Sequence, residues 1–280
     1  MSHLENPNIS DAAQYSIEVA RERIAGRRLF VLTGAGISTD SGIPDYRGQG
    51  RVARNPMTYD TFMSSFEAQQ KYWARSFVGW SRIALAKPNA GHFAIASGQS
   101  NGAVTALVTQ NVDGLHQAAG SKNVIDLHGR LDRVICLGCK KSIERTTMDE
   151  YLQELNPNIT KDISVEFTPD GDAEVDGTEN FVVPKCKNCD GIYKPDVVFF
   201  GESVPTNRVE LALNQLAAAD VLLIAGSSLT VNSGYRFVKQ AAKASKPIVI
   251  VNIGPTRADQ LAIAKIEANT SLALERLLID

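Results

Sequence analysis

The sequence has no surplus of charge of either sign. Twenty-nine lysines and arginines face 31 aspartates and glutamates in 280 residues, with no Lys/Arg block. The electrostatic footprint of tight, sequence-independent nucleic-acid binding is therefore missing. Long apolar runs are missing too. Stretches such as Val221 to Ala225 are far shorter than the roughly 20 residues a bilayer-spanning helix needs, so no membrane partner is expected. The opening MSHLENPNISDAAQ has two acids and no apolar h-region, which predicts neither a secretory signal nor an Arg-rich transit peptide. A cytoplasmic location is the expectation, and in that reducing compartment the four cysteines call for something other than disulfides.

With 44% hydrophobic positions the chain can build one large domain or two modest ones. Residues 11–28 mix Ala, Ile and Val with Arg and Glu, the pattern of an amphipathic helix ending near Gly26. Leu29 to Thr33, Val104 to Thr109, Val221 to Ala225 and Ile248 to Val251 are short apolar runs rich in strand formers, each ending in small or polar residues. Helical stretches such as Asn207 to Ala219 and Ser233 to Ala244 lie between them. The alternation predicts a doubly wound α/β sheet whose ligand sits beyond the carboxyl ends of the strands. Two segments fall outside it. Residues 56–98 are aromatic-rich and helical in pattern, with a helix start at Pro88-Asn89; residues 131–196 hold all four cysteines. Inside the second, residues 170–179 (DGDAEVDGTE) carry five acids and no base, and predict a solvated loop. Two insertions of this kind predict a smaller lobe, with a site between the lobes.

Cys136-x-x-Cys139 and Cys186-x-x-Cys189 are two CxxC pairs, each able to present two thiolates to one tetrahedral zinc. Nearby lysines (Lys140, Lys141, Lys185, Lys187) favour ionised thiols. A redox CxxC or unrelated thiols would be the alternative, but no cysteine is left over, and four ligands leave no position open for water. The zinc expected here is structural. Gly34-Ala35-Gly36 follows the first strand and allows close backbone approach to a phosphate, although Thr39 stands where a dinucleotide fingerprint has its third glycine. The continuation through Asp45, Tyr46, Arg47 and Gly48 is too polar and too rich in Gly and Pro for an ordinary helix, and suggests a loop over a cofactor. Gln110, Asn111, Val112 and Asp113 end the second strand; two amides and one acid suit a heterocycle and a ribose better than a phosphate. Of four histidines, His3 lies in a tail, His92 follows a helix start and His116 suits packing, leaving His128 in Leu127-His128-Gly129 as the candidate general base.

Together, GAGISTDSGIPDYRG, TQNVDGLH, the following Leu-His-Gly, the paired CxxC knuckles, KPDVVFFGE at 194–202, Gly226-Ser227-Ser228-Leu229 and Val251-Asn252 resemble the sirtuin family in content and order, over roughly residues 24–255. That resemblance implies an NAD-dependent protein-lysine deacylase with a Rossmann-like parallel sheet lobe and a smaller lobe made of a helical and a zinc-binding insertion. It implies one catalytic unit over residues 1–280: a sheet lobe from 11–50, 99–130 and 197–280, a helical module at 51–98 and a zinc module at 131–196. NAD would contact Gly34, Ala35, Gly36, Asp45, Tyr46, Arg47, Gln110, Asn111, Val112, Asp113, Gly226, Ser227, Ser228, Asn252, Ile253 and Gly254. Its nicotinamide end would lie near Asn111 and Asp113. His128, with Asn111, would carry the chemistry, giving nicotinamide, O-acyl-ADP-ribose and free lysine. An acylated peptide would pair beside Val198, Phe199, Phe200 and Gly201.

The run Tyr72 to Trp80 and Pro44-Asp45-Tyr46-Arg47 look most like the class II sirtuins, which implies a preference for longer or unusual acyl chains. Tyr72-x-x-Arg75 also imitates the pair with which class III members read acidic acyl groups. Where the family often has Pro after Gly-Ser-Ser-Leu-x-Val, this chain has Asn232-Ser233-Gly234. Protein mono-ADP-ribosylation at the same NAD site is the alternative activity. A hydride-transfer dehydrogenase and a non-catalytic zinc-knuckle adaptor are the readings from other classes.

Overall fold

The structure, a computed structural model, describes residues 9–46, 56–159, 167–173 and 178–279. Helix α1 (Asp11–Ile24) begins at Ser10, whose hydroxyl accepts from the Ala13 N–H. It leads into β1 (Leu29–Thr33), and the chain then builds β2 (Val104–Thr109), β3 (Ile125–Asp126), β4 (Gly129–Cys136), β5 (Ser142–Glu144), β6 (Tyr193–Val197), β7 (Val221–Ala225), β8 (Ile248–Val251) and β9 (Ala264–Ile266). The other helices are α2 (Tyr59–Ser64), α3 (Phe66–Leu85), α4 (Ala90–Ser100), α5 (Leu115–Ala118), α6 (Arg145–Leu155), α7 (Thr206–Ala218), α8 (Asn232–Lys243) and α9 (Thr270–Leu278).

Six strands form one parallel sheet in the order β3-β2-β1-β7-β8-β9. The four strands expected from the apolar runs are its centre, with the expected bounds. Of the edge strands, β3 was expected only as the strand end before His128 and β9 was not expected, because two or three residues are too few to show a period. Side chains alternate across the sheet. Leu29 and Val31 join α1, α4 and α9 in one core, while Phe30 and Leu32 join α7 and α8 in the other. From β1 the chain winds outward to β2 and β3; from β7 it winds the opposite way to β8 and β9. The order therefore reverses between β1 and β7, where the carboxyl ends of a doubly wound sheet leave a crevice.

A second, antiparallel sheet, β5-β4-β6, lies in the cysteine-bearing segment. Its core is shared with α2, α3 and α6 through Phe62, Trp73, Phe77, Leu131, Val134 and Met148. Buried charge runs through this region. Arg145 is 1% exposed, lies over the rings of Trp73 and Trp80, and pairs with Asp149 at 3.0 Å. The solvated loop expected at 170–179 is corrected for its first part: Asp172 and Ala173 are buried, and Thr168 and Arg75 hold the turn from inside. Residues 174–177 lie outside the described residues. Among the described residues, no helix is long and apolar enough to cross a membrane.

Candidate functional site

The carboxyl ends of β1, β2, β7 and β8 meet at one edge of the parallel sheet. Gly34 to Gly36 and Gly226 flank the reversal point, tied by Gly36 N–H to Gly226 C=O at 2.9 Å. Gly226 has φ of +63°, and a Cβ there would lie 2.4 Å from the Ile37 nitrogen. Only glycine lets the two loops approach so closely. Gly34-Ala35-Gly36 thus has a reason within the protein, backbone against backbone, besides the expected approach to a ligand.

Beside these loops lies a polar cluster. Ser38, fully buried, donates to Asp113 Oδ2 at 2.7 Å and accepts from Asn111 Nδ2 at 3.0 Å. Burial pushes the Asp113 carboxyl up, and the Leu115 N–H, Ser38 and Asn111 pull against it. The Val112 carbonyl accepts from Leu131 N–H. Ser227 donates to Gln110 Oε1 at 2.9 Å, and Ser228 pairs with Thr230. Asn252 folds onto the carbonyls of Ile253 and Gly254, and Gly254 N–H reaches Glu267. Tyr46 meets Phe200 edge to face at 6.1 Å, joining the loop after β1 to the segment after β6. Asp45 is half-buried nearby in sequence, and Arg47 lies outside the described residues.

His128 stands where β3 gives way to β4. Its Nδ1 is 2.8 Å from the Gln110 carbonyl oxygen. A carbonyl can only accept, so Nδ1 carries the proton and Nε2 presents a lone pair, 2.8 Å from Ser233 Oγ. Burial holds the imidazole below its ordinary pKa; the Gln110 carbonyl opposes this, and Arg208 and Arg236 reinforce it. The ring is a neutral base at neutral pH. His116, as expected, is a packing residue, buried against Thr33 at 2.9 Å. His92 completes the α4 cap by accepting the Asn89 N–H.

The segment 198–201 continues from His128, whose carbonyl accepts the Val198 N–H at 2.7 Å. Glu202 fixes it by accepting from Phe199 N–H and from Lys194, each at 3.0 Å. Phe199 packs on Phe62 and Tyr72, and Phe200 is partly exposed. Tyr72 is thus close to this segment, but Arg75 points elsewhere: its Nε is 2.7 Å from Asp172 and donates to the Ala173 carbonyl. Burial raises the Asp172 carboxyl to about 7, against the pull of Arg75 and with the help of Asp170.

The four cysteine sulfurs lie within 4.8 Å of one another, Cys136 to Cys189 at 3.5 Å and Cys139 to Cys186 at 3.8 Å. Ligands about 2.3 Å from a tetrahedral zinc stand about 3.8 Å apart, so the set fits that ion. Backbone N–H groups of Lys141 and Asn188 lower the Cys139 and Cys186 thiols, the latter to about 6. Cys189, despite the Gly191 N–H, is pushed up to about 11 by its hydrogen bonds with the other sulfurs and by burial.

The sequence reading missed Ser38 and Ser233. Ser38 was visible only as one polar residue of a polar loop. Ser233 was visible as a departure from a common proline, with nothing to say what it faced.

Comparison with known proteins agrees with this layout. The Sir2 family model matches residues 34–233. An NAD-dependent protein deacetylase of Xanthomonas campestris pv. campestris (strain 8004) is 54% identical over 252 residues, covering 89% of this chain and 86% of the relative. NAD-dependent protein deacetylase 1 of Mycobacterium avium (strain 104) is 51% identical over 258 residues, covering 91% and 92%. Among solved structures, a Sir2–p53 peptide–NAD+ complex aligns with TM-score 0.73 at 29% identity, over 93% of this chain and 95% of that one. In sequence over most of its length and in fold over nearly all of it, the chain belongs to the Sir2 family.

Proposed function

We propose that the protein removes acyl groups from protein lysine side chains at the expense of NAD+, giving nicotinamide, O-acyl-ADP-ribose and free lysine. The observation that carries this reading is a neutral histidine, its tautomer fixed by the Gln110 carbonyl, at the edge of the sheet's reversal point and joined directly to segment 198–201. The donor set at that edge, amides and hydroxyls around one carboxylate, fits the neutral parts of a dinucleotide. When bound there, NAD+ supplies an electrophilic ribose carbon with nicotinamide as its leaving group.

The chain's own residues do the rest. Asn111 and Asp113, cross-linked by Ser38, orient the nicotinamide end. Gly34 to Gly36, Gln110, Ser227 and Asn252 hold the remainder of the dinucleotide. His128 Nε2 takes a proton from a ribose hydroxyl, for which a neutral imidazole is required. Val198 to Gly201 offer backbone groups to an extended acyl-peptide, in the manner of an added strand. The cysteines hold zinc structurally, and the antiparallel sheet with α2, α3 and α6 forms the smaller lobe. Tyr72 lies behind Phe199 near the acyl end. Arg75 has its charge engaged by Asp172, which favours neutral acyl groups over succinyl.

Incubation with NAD+ and a panel of acetyl-, succinyl-, long-chain, lipoyl- and biotinyl-lysine peptides tests the reading. Mass spectrometry should record loss of an acyl mass and release of nicotinamide, with succinyl turned over least. His128→Ala should abolish turnover with zinc still bound. Gain of ADP-ribose mass on the peptide without deacylation would transfer the reading to ADP-ribosylation, and NADH absorbance without nicotinamide would overturn it.

A further inference from the structure

The lone pair on which this mechanism depends does not face open space. Since Nδ1 of His128 donates to the Gln110 carbonyl, Nε2 is the acceptor, and Ser233 Oγ stands against it at 2.8 Å. The hydroxyl's single proton is therefore directed onto the base. Among the described residues Ser233 Oγ makes no second hydrogen bond, which leaves its lone pairs able to accept from a ligand hydroxyl. Any proton bound for Nε2 must either displace Ser233 or pass through it.

Displacement is hard. Ser233 is the second residue of α8, and the next residue, Gly234, lies so close to Gln110 that a Cβ would be 2.6 Å from Oε1. The Gln110 amide oxygen is also held by the Ser227 hydroxyl, which donates to it at 2.9 Å. One residue thus fixes both halves of the pair: its carbonyl sets the imidazole, and its side chain seats the start of the helix that carries the serine. Arg208 from α7 and Arg236 from α8 are the cations that act on the imidazole.

We propose that Ser233 is a proton relay, through which His128 draws the proton of the ligand's ribose hydroxyl. As the ligand O–H bond breaks, a new Oγ–H bond forms on Ser233. The original Oγ–H bond breaks as Nε2–H forms. The serine is regenerated, the imidazole becomes imidazolium, and the electron pair stays on the ligand oxygen. This rests on the deacylase reading, so the test separates the two.

Wild type, Ser233→Ala, Ser233→Thr, Ser233→Cys and His128→Ala are compared with NAD+ and acetyl-lysine peptide in mixtures of light and heavy water. Ser233→Ala should lose about a hundredfold or more in kcat with little change in KM, within the range that positioned proton transfer contributes. Thr should retain most of the rate. Cys, which keeps the volume but donates weakly, should lose rate like Ala, separating proton transfer from loosening of α8. The rate against deuterium fraction should curve for wild type, with two protons in flight, and become linear in Ser233→Ala. Without any ligand, the His128 Nε2 nitrogen resonance should shift in Ser233→Ala toward that of a lone pair with no donor, assigned by its loss in His128→Ala. Full kcat in Ser233→Ala beside a dead His128→Ala, or an unmoved Nε2 resonance, overturns the relay and leaves the deacylase reading standing. An active His128→Ala overturns that reading itself.

Discussion

The parallel sheet and the cysteine-bearing region solve the same problem, holding loops still, by different means. The parallel sheet has two apolar cores, with Phe30, Leu32, Leu222 and Ile224 on one face and Val31, Leu107, Leu223 and Val249 on the other. Polar side chains are concentrated at its carboxyl edge. The antiparallel region buries Arg145 between tryptophans, pairs Arg75 with Asp172 and Lys194 with Glu202, and gathers four sulfurs at one end. The antiparallel region has an apolar core of its own, shared with α2, α3 and α6, and adds to it buried charges and a four-sulfur site that fits a metal. The expectation that follows is a self-sufficient parallel sheet and a smaller region that depends on its metal site.

The strongest way to break this comparison is to remove the staple. Cys136→Ser should lose its zinc and its deacylase activity, because a closed site with a missing ligand forfeits metal-coupled folding energy on the order of 10 kcal/mol. Hydrogen exchange should show β4 and β6 deprotected while β1, β2, β7 and β8 stay protected; uniform retention of protection without metal would refute the dependence. Next in size is an attack on the self-sufficient region. Gly226→Ala forces a side chain into a left-handed conformation against the Ile37 nitrogen, and should cost about 2–5 kcal/mol by urea denaturation, from strain and overpacking together. Zinc content should be unchanged.

The smallest effect probes the polar edge. Because burial holds the His128 pKa below the ordinary histidine value of about 6.5, the acid limb of kcat/KM should fall below that pH. Arg236 disfavours the imidazolium, so Arg236→Gln should move that limb upward. An unmoved or downward-shifted limb would show that Arg236 does not act on the base.

Legibility in the sequence followed the same division. The central strands could be read because each is a short run dominated by apolar strand formers and closed by Gly-Ala-Gly, Gln-Asn, Gly-Ser or Asn. The short β9 could not, and neither could the buried turn at Asp172, whose acids read as solvent-facing until Arg75 and Thr168 are seen around them. His128 was reached as the candidate base by elimination among four histidines; its tautomer was beyond reach, since it is set by a carbonyl 18 residues away.

By itself the sequence determined the parallel α/β core, the two thiolate pairs and the order of motifs that marks the family, because each is written in neighbouring residues through period, spacing and turn chemistry. Only the tertiary structure decided what those pieces face. It closed two CxxC pairs into one site across 46 intervening residues, directed Arg75 to Asp172, and set Ser233 on the lone pair of His128 from 105 positions away. Contacts of that kind depend on how helices seat on the finished sheet, and no local pattern records them.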